Sequence, residues 1–411
     1  MIEKVDIAIV GAGMVGLTCA LAIAKESDLT VAVIDVAEQP VKIQSDDAPH
    51  NRVSAINKAA TCAFEKLDVW QAIAEQRIAP YQGMQVWDKD NIGRIEFHAA
   101  DVNETDLGHI IENDVIQAAL WQNANTHQQI KVINGPSAEL KQIDSELGQN
   151  LLVLQSGQLI QAKWVIAADG ANSKLRQLMD MPLTFSDYGQ KAIVATIKTE
   201  LPHQGVARQV FTPDGPLAFL PLADKHLCSI VFSQTADKAD ALMASDDAAF
   251  NKVLSATFDG SMGRVELVSK RQTFPLMMRY ARDFIKQGVI LIGDAAHTIH
   301  PLAGQGANLG LMDALAVAEY FTEQAKANTD MAELDELGLK QVMRWRKSDA
   351  FDRIAAMQAF HNGFSNEIAP IKVLRGLALC VADKLTPLKN TLIKEAMGIN
   401  GRLPALAKNK L

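Results

Sequence analysis

The sequence has few cysteines, and their spacing excludes two classes of protein. Cys19, Cys62, Cys228 and Cys380 stand far apart in a chain of 411 residues, and none forms a CxxC pair. This pattern argues against a zinc site and against a disulfide framework. We therefore expect four buried free thiols, no bound metal and a reducing compartment.

Positive charge and long apolar runs are also scarce. The formal net charge is −8 and no Lys/Arg stripe is present, so nucleic acid is not an expected partner. The two longest uncharged runs, residues 7–24 and 295–312, are broken by glycine, and neither predicts a membrane-spanning helix. The N-terminus enters a strand pattern without the apolar region of a secretory signal. We expect a cytoplasmic protein.

Hydrophobic patterning predicts two domains whose sequences interleave. Short apolar runs at residues 5–10, 30–36, 164–168 and 289–292 predict buried parallel strands. Residues 182–275 instead carry several strand-like runs separated by Pro and Gly. Strand–helix patterns at both ends of the chain and a β-rich middle are typical of an α/β domain interrupted by a β-sheet domain.

A glycine motif follows the first predicted strand. Gly11, Gly13 and Gly16 have GxGxxG spacing at a helix start, and Asp35 ends the second strand. The first glycine permits a tight turn, the second lets a pyrophosphate approach the backbone, and the third lets helix and strand pack closely. An acid placed like Asp35 accepts hydrogen bonds from a ribose. The motif predicts a dinucleotide site, and the alternative is a tight turn without a ligand.

A second block predicts a loop whose backbone lies against a flat ligand. An acidic residue ends the strand at 289–292, and a proline and two glycines precede the last sheet-packed helix. The block consists of Gly293, Asp294, Pro301, Gly304, Gln305, Gly306, Ala307 and Asn308. The start of that helix favours the negative charge that a reduced flavin carries, and Asp294 is placed to hold ribityl hydroxyls. The alternative is a glycine-rich loop kept for packing.

A third block lies between these two. Asp169 and Gly170 follow the strand at 164–168, and Arg52 lies in an Arg-Val-Ser-Ala-Ile run. The first pair resembles the DG motif of flavoprotein monooxygenases, and Arg52 is similar to their arginine that reaches the flavin phosphates or ribityl chain. A helix cap and a surface arginine are the respective alternatives.

With these blocks the chain resembles the group A flavin-dependent aromatic hydroxylases of the p-hydroxybenzoate hydroxylase type, and within them the ubiquinone-biosynthesis hydroxylases. A narrower resemblance, to the 2-polyprenylphenol 6-hydroxylases that act at ring position C5, rests on residues 83–90, 107–113, 206–211, 217–222, 226–231 and 396–398. The resemblance implies a Rossmann-like FAD-binding domain formed by residues 1–80, 108–181 and 276–370. A mixed β-sheet substrate domain, residues 81–107 and 182–275, interleaves with it, and residues 371–411 form a helical segment.

The implied activity is hydroxylation of a polyprenylated phenol, at C5, with FAD, NADPH or NADH, and O₂. Pro301 and His297 are candidates for the reaction centre, although a histidine beside such a loop is more often structural. A prenyl pocket is predicted at Leu217, Phe219, Leu220 and Val231, with sheet core as the alternative. Expected partners are the lipophilic phenol, a multi-enzyme complex, further copies of the chain and the surface of the inner membrane. Residues 371–398 are the candidate contact with the membrane or a partner, and an ordinary packed helical tail is the favoured alternative.

Four other functions stay open at this point. Sister ubiquinone-pathway hydroxylases act at other ring positions, and an FAD-dependent dehydrogenase or reductase uses no oxygen. A carrier or assembly subunit without turnover would keep the same fold. A flavin halogenase is disfavoured, because its WxWxIP motif needs two tryptophans two positions apart and none of the five here are.

Overall fold

The chain folds around a parallel sheet that carries the predicted turns at one edge. The computed structural model describes residues 2–40, 43, 48–146, 149–299, 304–327, 329–331, 333–334, 336–364 and 369–409. Five parallel strands form the centre of this sheet, in the order β19-β11-β1-β2-β8. They are β1 (Ile2–Val10), β2 (Val31–Asp35), β8 (Ile130–Asn134), β11 (Leu159–Ala167) and β19 (Val289–Leu291). β9 (Leu140–Glu146), β10 (Gln149–Leu154) and β18 (Ile285–Lys286) extend it by antiparallel pairing.

A second, mostly antiparallel sheet has nine strands, in the order β20-β17-β12-β15-β14-β13-β5-β6 with β16 paired to β12. They are β5 (Gly83–Asp88), β6 (Arg94–His98), β12 (Leu183–Thr199), β13 (Val206–Thr212), β14 (Gly215–Pro221), β15 (Leu227–Thr235), β16 (Val265–Leu267), β17 (Gln272–Ala281) and β20 (His297–Thr298). A small antiparallel sheet contains β3 (Val53–Asn57), β4 (Ala79–Tyr81) and β7 (Gly108–Glu112).

Helices cover both large sheets. They are α1 (Met14–Glu26), α2 (Lys58–Lys66), α3 (Trp70–Ala74), α4 (Asn113–Thr126), α5 (Lys174–Leu178), α6 (Ala236–Ala244), α7 (Asp247–Thr257), α8 (Gln305–Lys326), α9 (Glu336–Phe364), α10 (Ala369–Lys384) and α11 (Thr386–Ala396). α1 packs between α4 and α8 beside the parallel sheet. No helix within the described ranges is both long and apolar enough to cross a membrane.

The predicted fold class is confirmed, including the helical C-terminus. The patterning missed α6 and α7, which interrupt the region predicted to be β-rich. The Asp246 side chain caps α7 by accepting a hydrogen bond from the Ala249 N–H at 2.7 Å, and Phe250 and Leu254 are buried at helical spacing. The division into domains stays a prediction, and β17 runs across the predicted limit at residue 275.

The cysteines depart slightly from expectation. All four are free thiols, and Cys19, Cys62 and Cys228 are buried. Cys380 is half-buried in α10 instead of fully buried.

Candidate active site

Three turns meet at one edge of the parallel sheet because β1, β11 and β19 are neighbours there. A Cβ on Gly11 would lie 2.3 Å from the Ala168 carbonyl oxygen, just before the Asp169 turn. On the other side, a Cβ on Gly293 would lie 3.2 Å from the Val15 side chain. The structure therefore brings together the three blocks that the sequence singled out.

The first turn leaves open space beside Gly13, and this space is called here the cradle. A Cβ on Gly16 would lie 2.0 Å from the Gly11 carbonyl oxygen, so this glycine is needed for helix–turn packing. Gly13 differs, because a Cβ there would meet no atom of the described residues within 4 Å. Gly13 is also the N-cap of α1 and offers no side-chain cap. The first N–H groups of the helix, which lack intrahelical partners, therefore face an open space that suits a pyrophosphate.

The Asp35 carboxylate supports the backbone of this turn. It accepts hydrogen bonds from the Ala12 N–H and, at 2.7 Å, from the Ala37 N–H. The Gln117 side chain donates to the Ala12 carbonyl at 2.8 Å from α4. The Asp35 carboxylate thus orients the glycine turn, in addition to the ribose contact predicted from its position.

The Asp169 turn is both a helix cap and a junction. The Asp169 carboxylate accepts from the Leu175 N–H at 3.1 Å at the start of α5, and its other oxygen is buried without a partner. Burial raises the pKa of Asp169, against the lowering effect of hydrogen bonds from Ser173 and the α5 backbone. Gly170 has a φ of +81°, with open space where a Cβ would be. The buried oxygen of Asp169 and the open position at Gly170 are separate features of this turn.

Arg176 joins this turn to the one after β19. The guanidinium is buried and donates to the Ala295 carbonyl at 2.9 Å and to the Ala171 carbonyl at 3.0 Å. Arg176 lies six positions after Gly170 in the sequence, which by itself indicates no role. Because Arg176 connects two turns, we assign it a structural role in the site.

Asp294 follows β19, the outermost of the five parallel strands, at a position called here the Asp294 recess. Its side chain is reached by solvent, yet protein atoms surround it closely. That desolvation raises the pKa of Asp294, against the lowering effect of the charges on His297, Arg52 and Arg279. A solvent-facing carboxylate deep in a recess is what a ligand with several hydroxyls requires.

Arg52 lies at the border between this edge and the nine-stranded sheet. It is exposed, and its guanidinium carbon lies 5.9 Å from the centre of the Phe274 ring in β17. Its carbonyl accepts from the Asn113 N–H at 2.9 Å. The side chain is thus free to reach a ligand phosphate or ribityl chain, as predicted for it.

The start of α8 is tied to β3. Gly304 is the N-cap at a φ of +62°, and a Cβ there would meet the Ala55 side chain at 3.1 Å. The buried Asn308 side chain donates to the Ala55 carbonyl at 2.7 Å and accepts from the Asn57 N–H at 3.1 Å. Asn308 therefore uses its side chain within the protein. A contact from Asn308 to the cofactor would have to come from its backbone.

The rest of this block is less closely packed. Among the described residues, a Cβ on Gly306 would meet only Ile299, at 3.9 Å, and Ala307 is half-buried. Gln305 is the first residue of α8. Pro301, predicted at the reaction centre, and its neighbour His300 lie outside the described residues.

His297 is buried and its Nε2 already has a hydrogen-bond partner, whereas a general base would face the substrate. The residue is 2% exposed, and its Nε2 lies 2.6 Å from the Asp313 carboxylate. Asp313 also accepts from Arg346 at 2.7 Å. Sequence reasoning missed both partners. The signal for Asp313 was present, since it is the first charge after the uncharged run 295–312 in an apolar helix.

The four residues of the predicted prenyl pocket do not share a face. Leu217 and Phe219 are buried against α7, and Phe219 stacks on Phe258 with ring centres 3.7 Å apart. Alternation along a strand places Leu220 and Val231 on the opposite side of the sheet, called here the front face. The burial of Leu217 and Phe219 favours the alternative, sheet core, and their place in a prenyl pocket stays a prediction.

The front face looks toward the three turns. Thr196, which alternates with the buried Ile197, approaches Asn51 at 3.4 Å, directly before Arg52. Val231 is half-buried and lies between Val194 and Ala218 on neighbouring strands. The face thus combines apolar residues such as Val231 with small polar residues such as Thr196 and Ser229, a mixture that suits an aromatic substrate with a polar ring substituent.

Comparison with known proteins agrees with this site. The FAD binding domain family profile matches residues 4–337. The 3-demethoxyubiquinol 3-hydroxylase of Escherichia coli (strain K12) is 35% identical, covering 97% of this chain and 99% of that protein. The ubiquinone biosynthesis monooxygenase COQ6, mitochondrial, of Drosophila melanogaster is 32% identical, covering 96% and 90%.

A solved structure supports the fold independently. The p-nitrophenol 4-monooxygenase PnpA from Pseudomonas putida DLL-E4 superposes with a TM-score of 0.78, covering 97% of this chain and 99% of that one, at 16% identity. The open cradle at Gly13 and the Asp294 recess fit the pyrophosphate and ribityl parts of FAD. FAD is the cofactor, with NADPH or NADH as the electron donor typical of this class. The chain is a flavin-dependent monooxygenase, and it belongs to the FAD binding domain family of group A aromatic hydroxylases, together with the ubiquinone-biosynthesis hydroxylases.

Proposed function

We propose that this chain hydroxylates the aromatic ring of a polyprenylated phenol in ubiquinone biosynthesis. The observation that carries the proposal is the position of Arg52, whose charge acts on Asp294 and whose neighbour Asn51 contacts the front face at Thr196. The names of the relatives at 35% and 32% identity support the same substrate class. Bound FAD would supply the chemistry that takes electrons from NAD(P)H and activates O₂.

Each part of the site has one task in this proposal. The N–H groups at Gly13 bind the pyrophosphate, and Asp294 and Arg52 hold the ribityl chain or phosphates. The start of α8, at Gly304, favours negative charge on the ring system. Leu220 and Val231 keep water from the reacting ring carbon and hold the phenol in place. His297 is a positioning residue in this proposal, because its Nε2 is already bonded to Asp313.

Two ring positions are candidates. The sequence resemblance predicts C5 of a 2-polyprenylphenol. The relative named 3-demethoxyubiquinol 3-hydroxylase favours position 3 of a demethoxyubiquinol instead. Quinone intermediates from a strain that lacks the gene separate the two. Accumulation of 2-polyprenylphenol would support C5, and a demethoxy intermediate would support the second position.

Purified enzyme gives the direct test of hydroxylation. We expect the lipophilic phenol to stimulate O₂ uptake and NAD(P)H oxidation together, with one ring hydroxyl gained by mass spectrometry. NAD(P)H oxidation that produces only hydrogen peroxide or a reduced lipid would contradict the proposal. The predicted multi-enzyme complex and homo-oligomer remain proposals, which co-purification and size-exclusion chromatography can check.

We also propose that α10 and α11 touch the inner membrane from the cytoplasm. Five aliphatic side chains are between 36% and 52% exposed along these helices: Leu377, Val381, Leu385, Leu388 and Leu392. The exposed Lys384 and Lys394 lie among them. An apolar stripe with lysines suits an anionic lipid surface, where a lipophilic substrate resides.

Vesicle sedimentation tests this contact. Leu385→Glu should release the protein from vesicles that contain phosphatidylglycerol. Leu201→Glu is the matched control, since Leu201 is also 50% exposed but lies outside the stripe. Equal sedimentation of both variants and the unaltered protein would remove the stripe from the proposal.

A further inference from the structure

A buried ionic network lies directly behind the Asp294 recess. Asp313 in α8 is 0% exposed and Arg346 in α9 is 1% exposed. One Asp313 oxygen accepts from Arg346 Nε at 2.7 Å. The other lies 2.6 Å from His297 Nε2 and also accepts from the Gly293 N–H at 3.1 Å. Both oxygens of the carboxylate are therefore occupied.

The network ties two sheets at the point where the chain passes between them. Gly293 follows β19 of the parallel sheet, and four residues later His297 lies in β20 of the nine-stranded sheet. Asp313 holds the backbone of the first residue and the ring of the second. The Asp313 carboxylate thereby helps to fix the distance between the turn after β19 and strands β17 and β20 of the nine-stranded sheet.

α9 braces the same junction. Arg346 bonds Asp313 and, at 2.9 Å, Asp349. The next residue, Lys347, accepts through its carbonyl from the Tyr280 hydroxyl at 2.9 Å, and Tyr280 pairs with His297 across β17 and β20. Two consecutive residues of α9 thus bind α8 and the nine-stranded sheet.

Such a network is costly unless every charge is paired. Burial raises the pKa of Asp313, but the charges and hydrogen bonds of His297 and Arg346 outweigh it, so that the pKa lies below its usual range. The carboxylate is ionised at neutral pH. Loss of one partner would leave a buried charge unpaired.

We propose that Asp313 and Arg346 are positioning residues for FAD. Neither reaches the recess itself. By anchoring the Gly293 N–H, at a residue with a φ of +57°, they fix the direction of the adjacent Asp294 carboxylate. The inference rests on FAD binding and is independent of which phenol is hydroxylated.

The affinity of the apoprotein for FAD, measured by flavin fluorescence quenching, tests this role. We expect Asp313→Asn and Arg346→Met to raise the Kd of FAD about tenfold or more. Arg346→Lys, which keeps the charge, should recover part of the loss. Arg271→Met is the matched control, because Arg271 also bonds a carboxylate, Asp247, and two carbonyls, but directly precedes β17 and contacts residues of α6 and α7 instead of the Asp313 network.

The unfolding temperatures of the apoproteins separate positioning from stability. Arg346→Met and Arg271→Met should both lower Tm, and only the first should weaken FAD binding. If Asp313→Asn and Arg346→Met both bind FAD within twofold of the unaltered protein, the network serves the fold alone and the proposal fails. Should Asp313→Asn not fold, His297→Asn, which removes one partner and keeps the ion pair, is measured in its place with the same two outcomes.

Discussion

The two faces of the active site differ in how the chain builds them. The cofactor edge consists of turns in which each glycine acts through its own backbone, as at Gly13 and Gly293. The front face consists of single side chains from different strands, such as Leu220 and Val231, whose neighbours in sequence point the other way. Local sequence therefore predicts the residues of the cofactor edge well and those of the front face poorly.

The comparison also separates binding from stability. A substitution at an open glycine changes the space for a ligand, and a substitution at a core residue of the sheet changes the fold. We expect variants of the first kind to lose flavin while their unfolding free energy is kept. Variants of the second kind should keep flavin while their unfolding free energy falls.

Gly13→Glu should produce the largest effect, a colourless protein that is still folded. A Cβ at Gly13 would meet no atom within 4 Å in the part of the chain that the structure describes, so we expect the fold to tolerate the substitution, while bulk and negative charge fill the pyrophosphate cradle. Gly16→Ala should instead destabilise the protein, because its Cβ would lie 2.0 Å from the Gly11 carbonyl oxygen. Absorbance at the flavin bands and circular dichroism check both. Retention of stoichiometric FAD in Gly13→Glu would refute the cradle.

Phe219→Ala should cost about 3–5 kcal/mol of unfolding free energy, as for other buried aromatic residues. The ring is 1% exposed and stacked on Phe258. FAD content and the KM for the phenol should stay within about twofold in the folded fraction. Denaturant unfolding and steady-state kinetics measure the two quantities, and a large KM change with unaltered stability would return Phe219 to the pocket.

Sequence patterns predicted the fold class, the three turns and their meeting, because parallel neighbours in a sheet bring their carboxyl ends to one edge. They placed Leu217 and Phe219 in the pocket because a run of apolar residues does not reveal which alternate positions face the helices α6 and α7. They missed the pairing of Asp313 with Arg346, since 33 residues separate the two. Side chains that meet through tertiary packing carry no local signal.

Asp294→Asn should weaken FAD binding by roughly ten- to a hundredfold. The free protein has a raised pKa at Asp294, and hydrogen bonds from ribityl hydroxyls would lower it in the complex. The affinity for FAD is therefore complete above the free protein's pKa and declines as the pH falls through it. In the asparagine variant this contribution to the pH dependence should vanish. Titrations of apoprotein with FAD between neutral and acid pH measure it, and an unchanged profile would assign the dependence to another group.

Val231→Ala should have the smallest effect, on the substrate alone. Removing two methyl groups from a half-buried position between Val194 and Ala218 takes apolar contact from the aromatic ring, and we expect kcat/KM for the phenol to fall roughly tenfold. FAD affinity and Tm should change little, in contrast to Phe219→Ala on the neighbouring strand and the other face. A less tightly packed substrate site should also admit water. A larger share of the NAD(P)H consumed should then yield hydrogen peroxide from O₂ instead of hydroxylated phenol. If Val231→Ala leaves both kcat/KM and peroxide yield unaltered, the substrate does not lie against this part of the front face, and Leu220 would be the next position to test.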